Sequence, residues 1–435
     1  MFVHIDIDSF FISAERVKNP KLLNIPAAVG SRSNLEIFSK NRANIKLLNI
    51  NSGAFVTPVF HNDFKRTFEN YFVDNIDGKR KIRGIITTAS YEARECGVKT
   101  GMAIAKALTL CPNMVVVPSN YTLYHKLSKA IYIELKREIP LIEQYSIDEF
   151  FGKLDGWVLD NKAFDFAKYI QKKIYKKFKI PVSIGIAESK YIAKLATNFA
   201  KPNGVYLVED QQEFISDIPI KEFPGIGKNL TKRLNSYGIK TLKDICSSKE
   251  LLYRWKLPGI ELYNRVCRGG GDIKPKEPKK SIGLGRTFDA IYDYSEIKRR
   301  VVIMARHIAY MVKRADVNPL RYELKINFDD GSKAKDAVST NRLFSEQLLK
   351  KSLIYILNNI WCENRGVIKL RVSVYNFQKV NKTTLSLLNY KNDIKQKELD
   401  KAVTNLRNRF GLDILKSGSE IFIDYSKVIY KDKTL

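Results

Sequence analysis

No run of eighteen apolar residues occurs in this chain, so no membrane-spanning helix and no membrane partner are expected. Cysteine is scarce: five in 435 residues, an odd number, with no C-x-x-C pair. That excludes a disulfide framework or a structural zinc site as the expectation and leaves a reducing compartment as the default. The four histidines are scattered, which gives a His-based metal site no support. Glycine (23) and proline (14) together make up fewer than a tenth of the residues, too few for a collagen-like or Pro/Gly-rich disordered chain. The first residues, Met1-Phe2-Val3-His4-Ile5-Asp6, lack a basic leader and a small-residue cleavage site. They do not read as a signal peptide, and a cytoplasmic location is expected.

What is abundant is positive charge. Lys and Arg number 75 against 46 Asp and Glu, a net charge of +29 with a pI near 9.7. Such an excess points to a polyanionic partner, most often nucleic acid. A Lys-rich surface in a chain also rich in Asn, Ile and Tyr is the plainer alternative. The 44% hydrophobic and 28% charged content is ordinary for a globular protein. The length suggests about three domains.

Along the chain, residues 2–8 read as a strand running into a helix that starts at Ser9-Phe10-Phe11. Strands follow at 84–90, 113–118, 149–154 and 182–187, with helices at 91–97, 121–138 and 163–178. The last of these puts Phe166, Ile170, Ile174 and Phe178 on one stripe. This β-α-β alternation describes a first unit ending near residue 208. Residues 209–271 change to short helices broken by Pro-Gly, and Asp272 to Lys280 reads as an extended basic linker. A helix is expected at 296–314, with Ile297, Val301, Met304, Ile308 and Met311 inward and most of Arg299, Arg300, Arg306, Lys313 and Arg314 elsewhere. Strands at 321–328 and 366–375 alternate strictly, each with basic residues on its polar face.

Two groups of acids stand where acids are costly. Asp6 and Asp8 end the first strand, and Asp148-Glu149 precede the apolar pair Phe150-Phe151. A strand-terminal Asp and a distant Asp-Glu pair can form an all-oxygen site suited to two Mg²⁺, although the same acids also serve turns and helix caps. Three further segments carry phosphate-binding chemistry. Thr88-Ala89-Ser90-Tyr91-Glu92-Ala93-Arg94 puts a hydroxyl, a phenol and a guanidinium on one strand-to-helix turn. A helix from Lys190 ends in Lys201-Pro202-Asn203-Gly204. Phe223-Pro224-Gly225-Ile226-Gly227-Lys228 is a Gly-rich turn into a helix, where free N–H groups can face a phosphate.

Taken in this order, these elements make the chain resemble the Y-family (lesion-bypass) DNA polymerases of the DNA polymerase IV and polymerase V catalytic-subunit type. The resemblance rests on Asp6-Ile7-Asp8-Ser9-Phe10-Phe11, Ala89 to Arg94, Gly97-Val98-Lys99-Thr100-Gly101-Met102, Ser146-Ile147-Asp148-Glu149 and Ser183-Ile184-Gly185-Ile186-Ala187. It continues through Ala200-Lys201-Pro202-Asn203-Gly204, the hairpin at 224–227 and Lys280-Ser281-Ile282-Gly283, and so spans residues 2 to about 290.

The resemblance implies an α+β multidomain fold, a right-hand polymerase with palm, fingers, helical thumb carrying a helix-hairpin-helix, and an α/β little finger. Mapped here, the palm is 1–18 and 119–208, the fingers 19–118, the thumb 209–271, the linker 272–280, the little finger 281–380 and the tail 381–435. It implies template-directed nucleotidyl transfer from dNTPs onto a primer, in translesion synthesis, by a monomer holding two Mg²⁺ with Mn²⁺ as a substitute. Asp6 and Asp148 would bridge the metals, Glu149 would hold the one that activates the primer 3′-hydroxyl, and the Ile7 carbonyl would complete the other's shell. Tyr91, Arg94 and Lys201, with Thr88 as a fourth contact, would hold the triphosphate. Phe10 and Phe11 would border the nucleotide, Phe11 as the sugar gate and Phe10 beside it as an apolar helix residue. Asp8 and Ser9 receive no role.

Primer-template DNA would be held by Gly225, Gly227 and Lys228 of the hairpin and by Arg321, Lys325, Lys369 and Arg371 on the little-finger strands. In the tail, Leu385, Leu387 and Leu388 partly match the family's sliding-clamp peptide, with an apolar patch packing the tail helix as the alternative. One departure is large: roughly 45 extra residues between Gly30 and Gly84, spanning about 31–80, aromatic and Asn-rich. They are expected in the fingers, as a subdomain, a partner site or a loop. The competing readings are a non-catalytic DNA-binding scaffold, a nucleotide cyclase and a helix-hairpin-helix nuclease. The first would have lost acids, the second has no use for the hairpin, and the third has none for the Tyr91–Arg94 cluster.

Overall fold

β-Branched and aromatic residues put the strand Phe2–Ile7 at the centre of a five-stranded sheet. The computed structural model of the chain describes residues 1–39, 46–47, 60–61, 67–76, 79–269, 271–273, 280–379 and 388–420. They form two units: residues 1–31 and 67–273 make the first, and 32–39, 46–47, 60–61 and those from 280 onward make the second.

The sheet of the first unit runs Val205–Leu207, Val182–Ala187, Phe2–Ile7, Glu149–Lys153, Leu141–Gln144. All neighbours are antiparallel except the first two, which are parallel. Alternation sends Val3, Ile5 and Ile7 into one core with Tyr124, Ile131 and Leu135 of helix Tyr121–Glu138 and Ala167, Ile170 and Ile174 of helix Ala163–Phe178. Phe2 faces the other side, where Ile192, Ala193 and Ala196 of helix Lys190–Ala200 pack. That helix lies so close that a Cβ on Gly185 would stand 2.2 Å from the Ala193 carbonyl oxygen, which explains the glycine in the strand.

A smaller sheet, Ile85–Ala89, Ala27–Ser31, Val115–Pro118, carries the segment with Tyr91 and Arg94. Its core includes Phe72, which comes from the 31–80 segment and is wholly buried. Five short helices follow, from Gln211–Phe214 to Leu257–Cys267. Here the expectation about cysteine is corrected. Cys246 and Cys267 form a disulfide with Cα atoms 5.5 Å apart. They are 21 positions apart in sequence, and the packing of helix Leu242–Ser247 on Leu257–Cys267 brings them into range.

The second unit is a four-stranded antiparallel sheet, Ser281–Ile291, Val367–Lys379, Val317–Phe328, Lys333–Ser339, backed by helices Tyr294–Ala315 and Glu346–Ile360. Tyr322, Leu324, Ile326, Phe328, Leu370, Val372 and Val374 fill the face under the helices. The expected placement of Arg299, Arg300 and Arg306 away from the packed face is corrected: all three are buried. Glu296, fully buried, accepts from Arg299 and Arg300, while Arg306 pairs with Glu420 and Asp413. Buried guanidiniums are tolerated because each finds a carboxylate.

The start of the extra segment is also part of this unit. Ile37 and Phe38 belong to its core, Arg299 donates to the Phe38 carbonyl at 3.0 Å, and Arg286 donates to the Asn34 carbonyl at 2.9 Å. The tail helix Tyr390–Phe410 docks through charged residues. It buries Asp393, Asp400 and Arg407, which meet Arg342, Lys313 and Glu346, and exposes Leu399 and Leu406. Among the described residues no helix is long and apolar enough to cross a membrane.

Candidate active site

Two neighbouring strands carry the three acids to adjacent register positions. Asp6 is the register partner of Glu149, and Asp148 stands immediately before that strand, where its carbonyl accepts from the Ile7 N–H at 2.9 Å. Ser146 donates to the Asp148 carboxylate and also receives the Glu149 N–H at 3.1 Å, which shapes the Ser-Ile-Asp-Glu turn. Burial raises the Asp6 pKa to about 7, and the charges of Asp148 and Glu149 push in the same direction against Lys201. Asp148 is likewise raised, chiefly by burial. The carboxylates therefore share one field.

Two lysines answer that field. Lys201 Nζ lies 2.7 Å from Asp6 Oδ1, and Lys194 contacts Glu149. Among the described residues no three His, Cys, Asp or Glu side chains converge as a ligand cage. The donor chemistry still fits hard divalent cations: carboxylate oxygens, crowded and partly desolvated, with mutual repulsion that a cation would relieve. The Ile7 carbonyl leaves the strand's last residue at the same end.

Lys201 is held by an unusual turn. It caps helix Lys190–Ala200, its bond to Pro202 is cis, and Asn203 has φ +49°. A Cβ on Gly204 would stand 2.3 Å from the Ala200 carbonyl oxygen, so the Lys-Pro-Asn-Gly signature marks a backbone folded tightly on itself. Tyr91 and Arg94 start from the capped turn at Ser90, whose buried hydroxyl accepts the Ala27 N–H at 3.1 Å. The Arg94 guanidinium lies 5.0 Å from the Tyr91 ring centre, and its Nε donates to the Ala89 carbonyl. Thr88 is half-buried in strand Ile85–Ala89, paired with Val29. Arg16 donates to both oxygens of Glu92 at 3.0 and 2.9 Å, tying helix Phe10–Lys18 to the Tyr91 helix.

Phe11 stacks on Tyr124 at 4.4 Å and 12°, with Tyr121 edge-on at 5.7 Å. Phe10 is buried in the core beside them. Asp8 is also buried, and it accepts hydrogen bonds from Ser183, Tyr91 and the Asn203 N–H. Strand alternation says nothing of Asp8 because the strand ends at Ile7 and Ser9 turns left-handed at φ +44°. Sequence reasoning also assigned no individual role to Arg16, Ser183, Lys194 or His4. His4 is a buried imidazole whose Nδ1 meets Thr197 at 2.8 Å, and burial, with Lys194, Lys201 and Lys190, lowers its pKa well below the usual histidine value. Only spatial adjacency identifies these residues.

Away from the acids, Gly225 (φ +98°) and Gly227 carry open backbone ahead of helix Lys228–Asn235, and no side chain caps that helix. On the second unit Lys325 is the register partner of both Lys335 and Arg371, and Lys369 pairs with Asn327. Arg321 lies on the same outward face, its guanidinium 5.7 Å from the Tyr375 ring centre. Like charges directly opposed across strands are unfavourable unless an anion covers them. Lys335 was not foreseen. Leu388 is fully exposed, whereas Leu385 and Leu387 lie outside the described residues.

Comparison with known proteins bears on this geometry. Residues 71–198 match the impB/mucB/samB family, and residues 208–239 match the IMS family HHH motif. DNA polymerase IV of Clostridium kluyveri is 26% identical over 436 residues, covering 96% of this chain and 97% of its own length. DNA polymerase IV of Yersinia enterocolitica is 29% identical, covering 84% of this chain and 91% of its own. Among solved structures, a Y-family DNA polymerase chimera, Dbh-Dpo4(243-245)-Dbh, superposes with a TM-score of 0.67 at 25% identity, covering 86% of this chain and 99% of its own. The insertion ternary complex of Dbh DNA polymerase gives a TM-score of 0.53 at 25% identity, with coverage of 86% and 98%.

Proposed function

The chain belongs with the Y-family DNA polymerases of the DNA polymerase IV type, and we propose that it extends a primer 3′ end with dNTPs on a DNA template, tolerating damaged templates. In the reaction the primer 3′-oxygen bonds to the α-phosphorus and pyrophosphate leaves. The observation that carries this reading is the placement of Asp6, Asp148 and Glu149 at adjacent register positions, with Lys201 on Asp6 and with Asp8 joining the Tyr91 hydroxyl and the Asn203 N–H of the Lys201 turn by one hydrogen bond each.

Divalent-metal dependence goes with the family. In our reading Asp6, Asp148, Glu149 and the Ile7 carbonyl would hold two Mg²⁺, or Mn²⁺ in substitution, and the ions would supply positive charge at the attacking and leaving oxygens. Lys201 would turn from Asp6 toward the triphosphate, joined by Arg94 as a forked donor, Tyr91 as a single donor, and Thr88. Phe11 would lie against the deoxyribose with Tyr124 behind it. The open hairpin at Gly225, Gly227 and Lys228 would take duplex phosphates through backbone N–H groups, and the Lys325–Arg371 row would take more. The same reading divides the first unit into palm, fingers and thumb and makes the second the little finger. It has the chain act in the cytoplasm as a monomer, with 385–388 as a clamp contact. The scaffold alternative has no observation in its favour.

Primer extension on a defined template with Mg²⁺ decides the matter. The wild-type chain should extend the primer by template-directed addition, and Asp148→Ala should lose about a thousandfold or more of the rate. Equal extension by Asp148→Ala, or no extension by wild type with Mg²⁺ or Mn²⁺, would overturn the reading.

A further inference from the structure

Asp8 is the buried acid the polymerase reading leaves unused. Its Oδ1 accepts the Tyr91 hydroxyl at 3.0 Å and Ser183 Oγ at 2.9 Å, and its Oδ2 accepts Ser183 Oγ at 2.8 Å and the Asn203 N–H at 2.8 Å. One carboxylate thus joins the end of the first strand, the neighbouring strand Val182–Ala187, the turn that carries Lys201, and the helix that carries Tyr91. With both oxygens occupied, Asp8 serves as an acceptor for protein donors.

The proton count at Tyr91 is informative. A phenol has one proton to donate. Burial, and then Asp8, pushes the Tyr91 pKa well above its ordinary value, so that proton stays on the oxygen at neutral pH. In this structure it lies on Asp8. A triphosphate is also an acceptor there, so both groups compete for the same proton. The Asn203 N–H and Ser183 have no such second claim on them. They hold Asp8 in place while Tyr91 changes partner.

We propose that Asp8 is a positioning residue, a latch that holds the Tyr91 hydroxyl in the nucleotide-free enzyme and that the incoming triphosphate must release. This rests on the polymerase reading. The latch keeps the Lys201 turn fixed and sets a threshold for dNTP binding.

Asp8→Asn tests it without emptying the site. The Asn203 N–H can only donate, so the amide oxygen must face it. The amide NH₂ then faces Ser183 and Tyr91, whose hydroxyls can accept, and Ser183 and the Asn203 N–H keep the amide oxygen as acceptor. The Tyr91 proton becomes free for the triphosphate. We would measure the dNTP KM and kcat in primer extension, and the dNTP Kd on a dideoxy-terminated primer–template, for wild type, Asp8→Asn, Tyr91→Phe and the double variant. Asp8→Asn should lower KM and Kd about threefold or more, with kcat within about twofold. In the Tyr91→Phe background it should lower neither. Ser183→Ala should act oppositely: with one donor fewer on Asp8, its grip on Tyr91 tightens and KM rises about twofold.

An unchanged or raised KM in Asp8→Asn would overturn the latch. So would a lowered KM that persists in Tyr91→Phe, which would assign the effect to lost negative charge alone. Should Asp8→Asn not fold, Ser183→Ala decides, since an unchanged or lowered KM there overturns the latch equally. Absence of dNTP incorporation by wild type would instead mark failure of the polymerase reading itself.

Discussion

Phe11 owes its position to Tyr124, a fully buried ring on which it stacks almost parallel. The Tyr124 hydroxyl donates to Glu15 at 2.8 Å inside the same core, so the plate behind Phe11 is fixed by packing and by a buried hydrogen bond. Burial and the Glu15 charge raise the Tyr124 pKa, and the phenol stays neutral. A flat ring on a rigid backing has little room to yield to a 2′-hydroxyl. Phe11→Ala should therefore lower the preference for dNTPs over NTPs by about a hundredfold, with little effect on dNTP incorporation. Competing primer extension with dNTPs and NTPs measures this, and an unchanged ratio would mean that another side chain guards the sugar.

Short helices of four to eleven residues, as between Gln211 and Cys267, do not hold themselves together by propensity. Here their packing is reinforced by the Cys246–Cys267 disulfide, which closes helix Leu242–Ser247 onto the end of Leu257–Cys267. Cross-linking residues 21 apart should contribute about 3 kcal/mol by restricting the unfolded chain. Cys246→Ser should lower the unfolding free energy of this region by that amount, read from the denaturant midpoint and slope, and a reducing agent should do the same to wild type and nothing to the variant. Equal midpoints for oxidised wild type and Cys246→Ser would deny the cross-link a role. The tail helix Tyr390–Phe410 shows the opposite economy, since its docking side is charged and its exposed side carries Leu399, Leu406 and Phe410. Specific ion pairs to Arg342, Lys313 and Glu346 decide which side faces in.

At the scale of the whole molecule, the chain enters the second unit twice. Residues 32–39 depart from strand Ala27–Ser31 and seat Ile37 and Phe38 in that unit's core, and the sheet itself begins at Ser281. The Arg300 guanidinium lies 4.8 Å from the Phe38 ring centre and 4.5 Å from that of Phe288. Arg286 and Thr287 bind the Asn34 carbonyl and the Ser33 hydroxyl. The early segment is therefore clasped non-covalently within the second unit's own core. If a protease site is placed in the linker between 273 and 280 and cut, the two fragments should still elute together in high salt. Phe38→Ala should release them, because losing a buried phenylalanine costs about 3–5 kcal/mol. Separation of the wild-type fragments, or co-elution undiminished by Phe38→Ala, would show that the clasp does not hold.

Period and contiguity made much of this protein legible in its sequence. Strict alternation at 321–328 and 366–375 appears as the strands Val317–Phe328 and Val367–Lys379, and the stripe at 163–178 as the helix Ala163–Phe178. The acids were legible because Ser146 to Glu149 is one tight turn, and the Lys201 turn because Asn203 takes a left-handed φ that Asn favours and Gly204 leaves no room for a Cβ. These features depend on neighbours a few residues apart, which a sequence records directly. Tertiary structure alone decided the rest. Asp8 meets residues 91, 183 and 203, Arg306 meets Glu420, Cys246 meets Cys267, and Phe38 enters the core of the second unit. Each of these joins segments separated by whole elements. Whether such groups meet depends on how helices and strands pack, and a buried charge is tolerated only where that packing delivers its partner.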